Sequence, residues 1–275
     1  MKSWSGVVRL DDVKGFVLDI DGTLLHRAGD EVHVQPGASD VLSRIRASGR
    51  PFVLFTNGSH MPPEAFADEL RHAGLDVQDD ELLTPLNSVR FYLHAHGRDC
   101  SLLAFVNDSA KEYLEQAGVS LVGDDTSDIG AVFVAHSDVV DFAKLERAAR
   151  ALLNGTPLLT GSYAPYYAGL HGPIFSRGAM LTAALAKVSG AEPVVVGKPS
   201  EAALAAVADR LGVPTAAIAV IGDDLTMDVA LGRLGGGRTI LVQSGTSGPV
   251  ELEHIPEEER PDAVVQGVAA LLDWL

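Results

Sequence analysis

Cysteine is nearly absent from these 275 residues. Cys100 stands alone, so no intramolecular disulfide can form and no cysteine-rich zinc site can be built. Basic residues are also scarce, with 21 Lys and Arg against 37 Asp and Glu, for a formal charge of −16. That balance argues against nucleic acid as a partner and against attachment to anionic membranes by charge. An unbroken apolar run long enough to span a bilayer is missing too. The longest stretch without Asp, Glu, Lys or Arg, Ala151–Ser176, is interrupted by Gly155, Pro157, Gly161, Pro165, Gly169, Gly172 and Pro173. Such a density of breakers excludes a lipid-exposed helix. The segment Met1–Lys14 lacks the apolar core of a signal peptide, so the expectation is a soluble, cytoplasmic protein with no membrane partner. On that expectation the glycosylation-type triplets at Asn57, Asn107 and Asn154 are chance matches.

What is present is an ordinary globular balance, 47% hydrophobic and 21% charged, in a chain long enough for one large domain or two modest ones. Short apolar runs alternate with amphipathic segments. Phe16–Ile20, Pro51–Phe55, Pro193–Val196, Ala216–Ile221 and Thr239–Val242 read as strands. Helices are predicted over Pro36–Ala47, from Pro62, from Ser200 and from Leu225, the first two with proline in the opening turn. Alternating strands and helices predict an α/β fold with a parallel sheet covered on both faces. Strands that are apolar throughout, rather than at alternate residues, agree with that burial. The middle of the chain repeats the pattern on its own: strands at Ser101–Val106 and Ile129–Ala135, helices at Ser109–Ala117 and Phe142–Leu153. With hinges at Thr84-Pro85 and Gly172-Pro173, the expectation is a core of residues 1–84 and 177–275, with an α/β domain of residues 85–176 inserted into it.

Four motifs carry chemistry. Phe16-Val17-Leu18-Asp19-Ile20-Asp21-Gly22-Thr23 sets two carboxylates directly after a buried strand, where open α/β sheets place their ligands. Phe52-Val53-Leu54-Phe55-Thr56-Asn57-Gly58-Ser59 ends a second strand in a hydroxyl and turn amides able to hold phosphate oxygens. Val196-Gly197-Lys198-Pro199-Ser200 supplies a fixed positive charge ahead of a helix, without the spaced glycines of a Walker loop. Ile221-Gly222-Asp223-Asp224-Leu225-Thr226-Met227-Asp228 crowds three acids after another strand, a costly arrangement unless a cation or hydrogen bonds compensate. Hard oxygen ligands in such a cluster suit Mg²⁺, although Asp223 or Asp224 could equally cap the next helix. Each motif alone has an ordinary structural explanation: a solvated turn, a strand-end turn, a surface lysine, a helix cap. Together, at the ends of strands expected to share one sheet, they fit phosphoryl transfer through an aspartyl phosphate.

These four motifs, in this order and spanning essentially the whole chain, resemble the haloacid dehalogenase-like hydrolase superfamily, subclass IIA, the NagD-like and nitrophenyl-phosphatase-like enzymes. The resemblance implies a Rossmann-like three-layer core, an inserted cap of the C2 type and a Mg²⁺-dependent phosphatase. It implies that Asp19 is the nucleophile and Asp21 the general acid and base. Thr56, Asn57 and Lys198 would hold the phosphoryl group. Metal ligands would come from Asp19, from Asp21 through its backbone carbonyl, and from Asp223, with Asp224 or Asp228 in the surrounding shell. The sequence departs from the family at Gly58, where a second Asn is common, and at Thr160-Gly161-Ser162-Tyr163, which lacks the Asn-x-Asp of many relatives.

Other readings share the core. A dehalogenase would not need Asp21 or the Asp223 cluster. A phosphomutase or phosphotransferase would return the group to an acceptor, and a non-catalytic sensor would bind Mg²⁺ and a phosphometabolite without turnover. The expected partner is a small-molecule phosphate ester, such as a sugar, polyol, nucleotide or cofactor phosphate, and a homodimer could form through the cap. Three of the five tyrosines, Tyr163, Tyr166 and Tyr167, fall within five residues, with His171 and Arg177 close behind. They either fill the cap's own interior or contact the leaving group.

Overall fold

The computed structural model describes residues 10–29, 31–97, 101–123, 128–167, 171–248 and 254–275. Cys100, Gly169 and the start of the chain through Arg9 lie outside the described residues. The strands in chain order are β1 (Gly15–Leu18), β2 (Leu25–Ala28), β3 (Glu31–Val34), β4 (Phe52–Phe55), β5 (Leu82–Leu83), β6 (Leu102–Phe105) and β7 (Ala131–Val134). They continue as β8 (Leu158–Thr160), β9 (Tyr166–Tyr167), β10 (Ile174–Phe175), β11 (Pro193–Val195), β12 (Ile218–Gly222), β13 (Arg238–Val242) and β14 (Ala263–Val265). The helices are α1 (Ala38–Ala47), α2 (Pro63–His72), α3 (Pro85–Ala95), α4 (Asp108–Gln116), α5 (Phe142–Leu153), α6 (Arg177–Ser189), α7 (Glu201–Leu211) and α8 (Ala230–Leu234).

Six strands form the larger sheet, in the order β14-β13-β12-β1-β4-β5, and every pairing in it is parallel. Strands β1 and β4 are buried along their whole length, as their unbroken apolar runs predict. Apolar layers cover both faces. Phe16, Leu18 and Leu54 point into one; Val17, Val53 and Phe55 point into the other. The chain leaves β1 in both directions of the sheet, so the crevice beyond the ends of β12, β1 and β4 is a topological switch point.

The second sheet, β11-β8-β7-β6, is also wholly parallel. It corrects two expectations. Pro193–Val195 belongs to this sheet, paired with β8, and not to the core sheet. Helix α6 packs here as well: Leu181 and Leu185 join Val132, Val134 and Leu158, and the Thr182 hydroxyl donates to the Thr160 hydroxyl at 2.9 Å. The body of the second sheet therefore extends to Val195 and does not end at Ser176. An apolar run specifies that a strand is buried but not which neighbour it pairs with, and a three-residue strand says least. The chain returns to the core at Val196–Ser200, where Val196 N–H donates to Thr160 O and the Ser200 side chain caps α7. Gly172-Pro173, expected as the hinge, lies instead between the strands of the small antiparallel hairpin β9–β10. At Thr84-Pro85 the chain passes from β5 into α3, with Thr84 buried and capping that helix. No helix among the described residues is long and apolar enough to cross a membrane.

Phe133 is fully buried in β7, at the middle of the second sheet. Phe133→Ala is expected to cost about 3–5 kcal/mol, read from the shift in a urea unfolding curve.

Candidate active site

Three adjacent strands deliver three of the motifs to one edge of the core sheet. Asp19 follows β1, Thr56 follows β4 and Asp223 follows β12. Lys198 arrives from outside that sheet, on the segment that returns from β11 to α7. Its ammonium donates to Asp19 Oδ1 at 2.6 Å and to Asp228 Oδ1 at 2.7 Å. The Asn57 side chain fixes the backbone of this lysine from both sides: Lys198 N–H donates to Asn57 Oδ1, and Asn57 Nδ2 donates to Lys198 O, each at 2.8 Å. Gly197 is required beside it, because a Cβ there would strike Gly161 O and sit 3.0 Å from Pro85.

Asp19, Asp223 and Asp228 form a buried cluster whose ligand oxygens all lie within 4.8 Å of one another. Asp228 reaches it because Leu225–Val229 forms one wide π turn after Asp224, tucking its carboxylate against Gly222. Burial pushes the Asp19 carboxyl well above its ordinary range; Lys198 opposes this, while Asp228 and Asp223 add to it. Burial and then the Asp228 charge push Asp223 up to about 7, against hydrogen bonds from Thr246. Asp228 is raised as well, by burial first. Burial works against the Lys198 charge, but its two carboxylate partners outweigh that and hold it protonated.

With all three ionised, the carboxylates facing one ammonium would leave an excess of two negative charges. Asp19 Oδ2 is buried with no hydrogen-bond partner among the described residues. An unsatisfied buried carboxylate oxygen is expensive, and a hard divalent cation among oxygen donors is the natural compensation. The donor set therefore fits Mg²⁺.

Asp21 is set apart from this cluster. Its Oδ1 accepts from Arg27 Nε at 2.7 Å, and its Oδ2 accepts from the Thr56 hydroxyl at 3.3 Å. Arg27 lies on β2 and is buried; its other end is forked onto Glu69 of α2 at 2.8 and 2.7 Å. Burial alone would raise the Glu69 carboxyl, but Arg27 outweighs it and the net shift is downward. Gly22 makes the turn after Asp21 with φ +93°, and a Cβ there would collide with the Asp223 carboxylate. Asp224 turns away, accepting from the N–H groups of Thr226 and Met227 as a helix cap.

A cleft of about 300 Å³ opens over these groups. The hairpin β9–β10 and the start of α6 supply its far wall, with Tyr166, Tyr167, Phe175 and Arg177. Burial, with the Asp21 charge adding to it, raises the Tyr167 hydroxyl. Tyr163 and His171, both exposed, are not among the lining residues. Sequence reasoning did not single out Arg27, Glu69, His60, His136 or Asp138. His60 and His136 approach edge to face at 5.8 Å across the cleft wall, and Arg177 pairs with Asp138. Burial and then the Arg27 charge lower the His60 imidazole below its ordinary range.

Two family models match the sequence: the haloacid dehalogenase-like hydrolases over residues 16–120 and the HAD-hydrolase-like proteins over residues 195–271. The ribonucleotide monophosphatase NagD of Escherichia coli is 28% identical over 260 residues, covering 94% of this chain and 98% of the relative. The structure of NagD superposes with a TM-score of 0.81 at 27% identity, covering 94% and 97%. The dihydroxyacetone phosphatase of Corynebacterium glutamicum is 26% identical over 94% of this chain and 90% of its own length. The crystal structure of a 4-nitrophenylphosphatase from Thermotoga maritima matches with a TM-score of 0.84 and 25% identity, covering 96% and 98%.

Removing Lys198 would strand two buried carboxylates. Lys198→Met is expected to cost about 3–5 kcal/mol in urea unfolding with EDTA present. Asp228→Asn in that background should recover part of the loss, since it removes one of the stranded charges. A double variant no more stable than Lys198→Met would assign the loss to packing.

Proposed function

The chain belongs to the haloacid dehalogenase-like hydrolase superfamily, in its NagD-like and nitrophenyl-phosphatase-like subclass IIA, and from that premise we propose that it hydrolyses small-molecule phosphate monoesters with Mg²⁺ through an aspartyl phosphate. The observation that carries this reading is Asp19: a buried carboxylate at the end of a central strand, with one oxygen held by Lys198 and the other unpartnered among the described residues. Relatives across nearly the full chain length bear phosphatase names, which supports the same reaction class.

In this reading Mg²⁺ is held by Asp19, Asp223 and the Asp21 backbone carbonyl, with Asp228 beside them; when bound, it neutralises charge on the phosphoryl group and the nucleophile. Asp19 bonds to phosphorus through a carboxylate oxygen as the phosphorus–oxygen bond to the leaving group breaks. Asp21 gives that oxygen a proton, then takes one from the water whose oxygen displaces Asp19. Lys198, Thr56 and the amides after it hold the phosphoryl oxygens. Lys198, together with a bound cation, would offset the negative charge of this cluster and of a strongly acidic protein where the phosphoryl group binds. Tyr166, Tyr167 and Arg177 face the remainder of the ester, and the hairpin shields the reacting group from water.

Phosphate release from a panel of esters tests the reading. Turnover should require Mg²⁺ and stop in EDTA. Asp19→Asn should abolish it, and Asp21→Asn should lower it by about 10²–10⁴. Asp223→Asn should raise the Mg²⁺ requirement more than Asp224→Asn, because Asp224 spends its carboxylate on the helix cap. Normal turnover by Asp19→Asn would exclude the covalent route.

On specificity, Tyr166→Ala and Tyr167→Phe should lower kcat/KM selectively for the best ester in the panel relative to a small aryl phosphate. Equal losses on both, with a lower melting temperature, would instead assign the tyrosines to packing.

A further inference from the structure

Arg27 belongs to none of the four motifs, yet it is a buried arginine within the cleft, and its guanidinium donates to two carboxylates. Its guanidinium fork is occupied by both oxygens of Glu69, a planar, bidentate contact that fixes the plane and direction of the group. The remaining Nε–H points at Asp21 Oδ1. Glu69 is anchored in turn by its helix, since α2 is held in the core through Phe66, Ala67 and Leu70. A rigid line thus runs from the packed face of α2, through Glu69 and Arg27, to one oxygen of Asp21.

The other oxygen of Asp21 faces differently. Oδ2 looks toward the Thr56 hydroxyl, which also accepts from Gly58 N–H in the turn after β4. The two oxygens of one carboxylate are therefore distinguished. Oδ1 is committed to Arg27, and Oδ2 lies on the side where Thr56 would hold the phosphoryl group. A carboxyl that transfers a proton to a leaving oxygen must present one chosen oxygen within hydrogen-bond reach, and an unrestrained aspartate would turn about its side-chain bonds.

We infer that Arg27 and Glu69 position Asp21 so that Oδ2 is the atom that exchanges the proton, making both of them positioning residues for the departure of the leaving group. The inference rests on the acid–base reading of Asp21 above. In the step concerned, the bond from phosphorus to the leaving oxygen breaks while the proton on Asp21 Oδ2 moves to that oxygen. In the following step a water proton returns to Oδ2 as the water oxygen bonds to phosphorus and Asp19 is released. Arg27 and Glu69 touch no reacting atom in either step.

The consequence is selective. A basic leaving group needs the proton as it departs, whereas 4-nitrophenolate leaves without one. Phenyl phosphate and 4-nitrophenyl phosphate have similar shapes but leaving groups of different basicity. The measurement is kcat/KM for both esters, which reports the steps through leaving-group departure. Asp21→Asn, Arg27→Met, Arg27→Lys and Glu69→Gln are compared with the unaltered protein. Arg27→Met should lose about 10- to 100-fold on phenyl phosphate and under about 3-fold on 4-nitrophenyl phosphate, a part of the full acid–base contribution. Arg27→Lys should recover some of the loss, because it restores the charge but not the fork. Glu69→Gln should show the same selectivity at smaller size, and it keeps the test decisive if Arg27→Met fails to fold. Equal losses on both esters in the Arg27 and Glu69 variants, with Asp21→Asn still selective, would overturn the positioning role while leaving the phosphatase reading intact. An Asp21→Asn variant with no selectivity would remove the acid–base reading and this inference with it.

Discussion

The site is organised around one buried ammonium. Among the described residues Lys198 is the single cation bonded within a cluster of three carboxylates, and burial makes every unbalanced charge there expensive. Much of the nearby architecture can be understood as what it takes to hold that group still. Asn57 grips its backbone on both sides, Gly197 lets the chain pass beneath Gly161, and the turn Leu225–Val229 swings Asp228 under it. The ammonium takes Asp19 Oδ1, while Oδ2 has no hydrogen-bond partner among the described residues, at the end of a rigid strand.

A second line of order concerns the acid two residues on. Asp21 takes no part in the carboxylate cluster and is governed by a different cation, Arg27, from a different element. One buried cation faces Asp19 and another faces Asp21. Two aspartates separated by one residue thereby acquire distinct surroundings. The division depends on Gly22, whose positive φ turns the chain sharply enough to bring Asp223 close while the hairpin β2–β3 carries Arg27 back over the site.

How much of this was legible in the sequence varied with the range of the interaction. The ends of β1, β4 and β12 were readable because each is an apolar run followed at once by polar side chains. The capping role of Asp224, one of two alternatives at that turn, is also local and was visible as an option. Lys198 was picked out, but the strand before it was placed in the wrong sheet. Pairing partners are set by contacts across the fold, and Pro193–Val195 is too short to announce one. Arg27 was not visible at all. It sits past a glycine turn, and its partner Glu69 is 42 residues further along, in a helix whose periodicity marks it as an ordinary surface position. Of the aromatic cluster, composition showed its presence, but only the hairpin distinguishes Tyr166 and Tyr167, which face the cleft, from Tyr163, which does not.

The route of the chain between the two sheets bears on how this scaffold could be recombined. The second sheet is reached at Thr84-Pro85 and left at Val196–Ser200, and Lys198 lies within the return segment. A graft that exchanged residues 85–176, the boundary that composition marks, would cut α6 and β11 away from the sheet they complete and expose Leu181 and Leu185. A junction at Gly197 keeps that sheet whole, but it falls one residue before the ammonium. Any transplanted cap must therefore enter with a backbone that Asn57 can still clasp. The second sheet and the buried ammonium are thus parts of one continuous segment, which limits how freely one can be exchanged without the other.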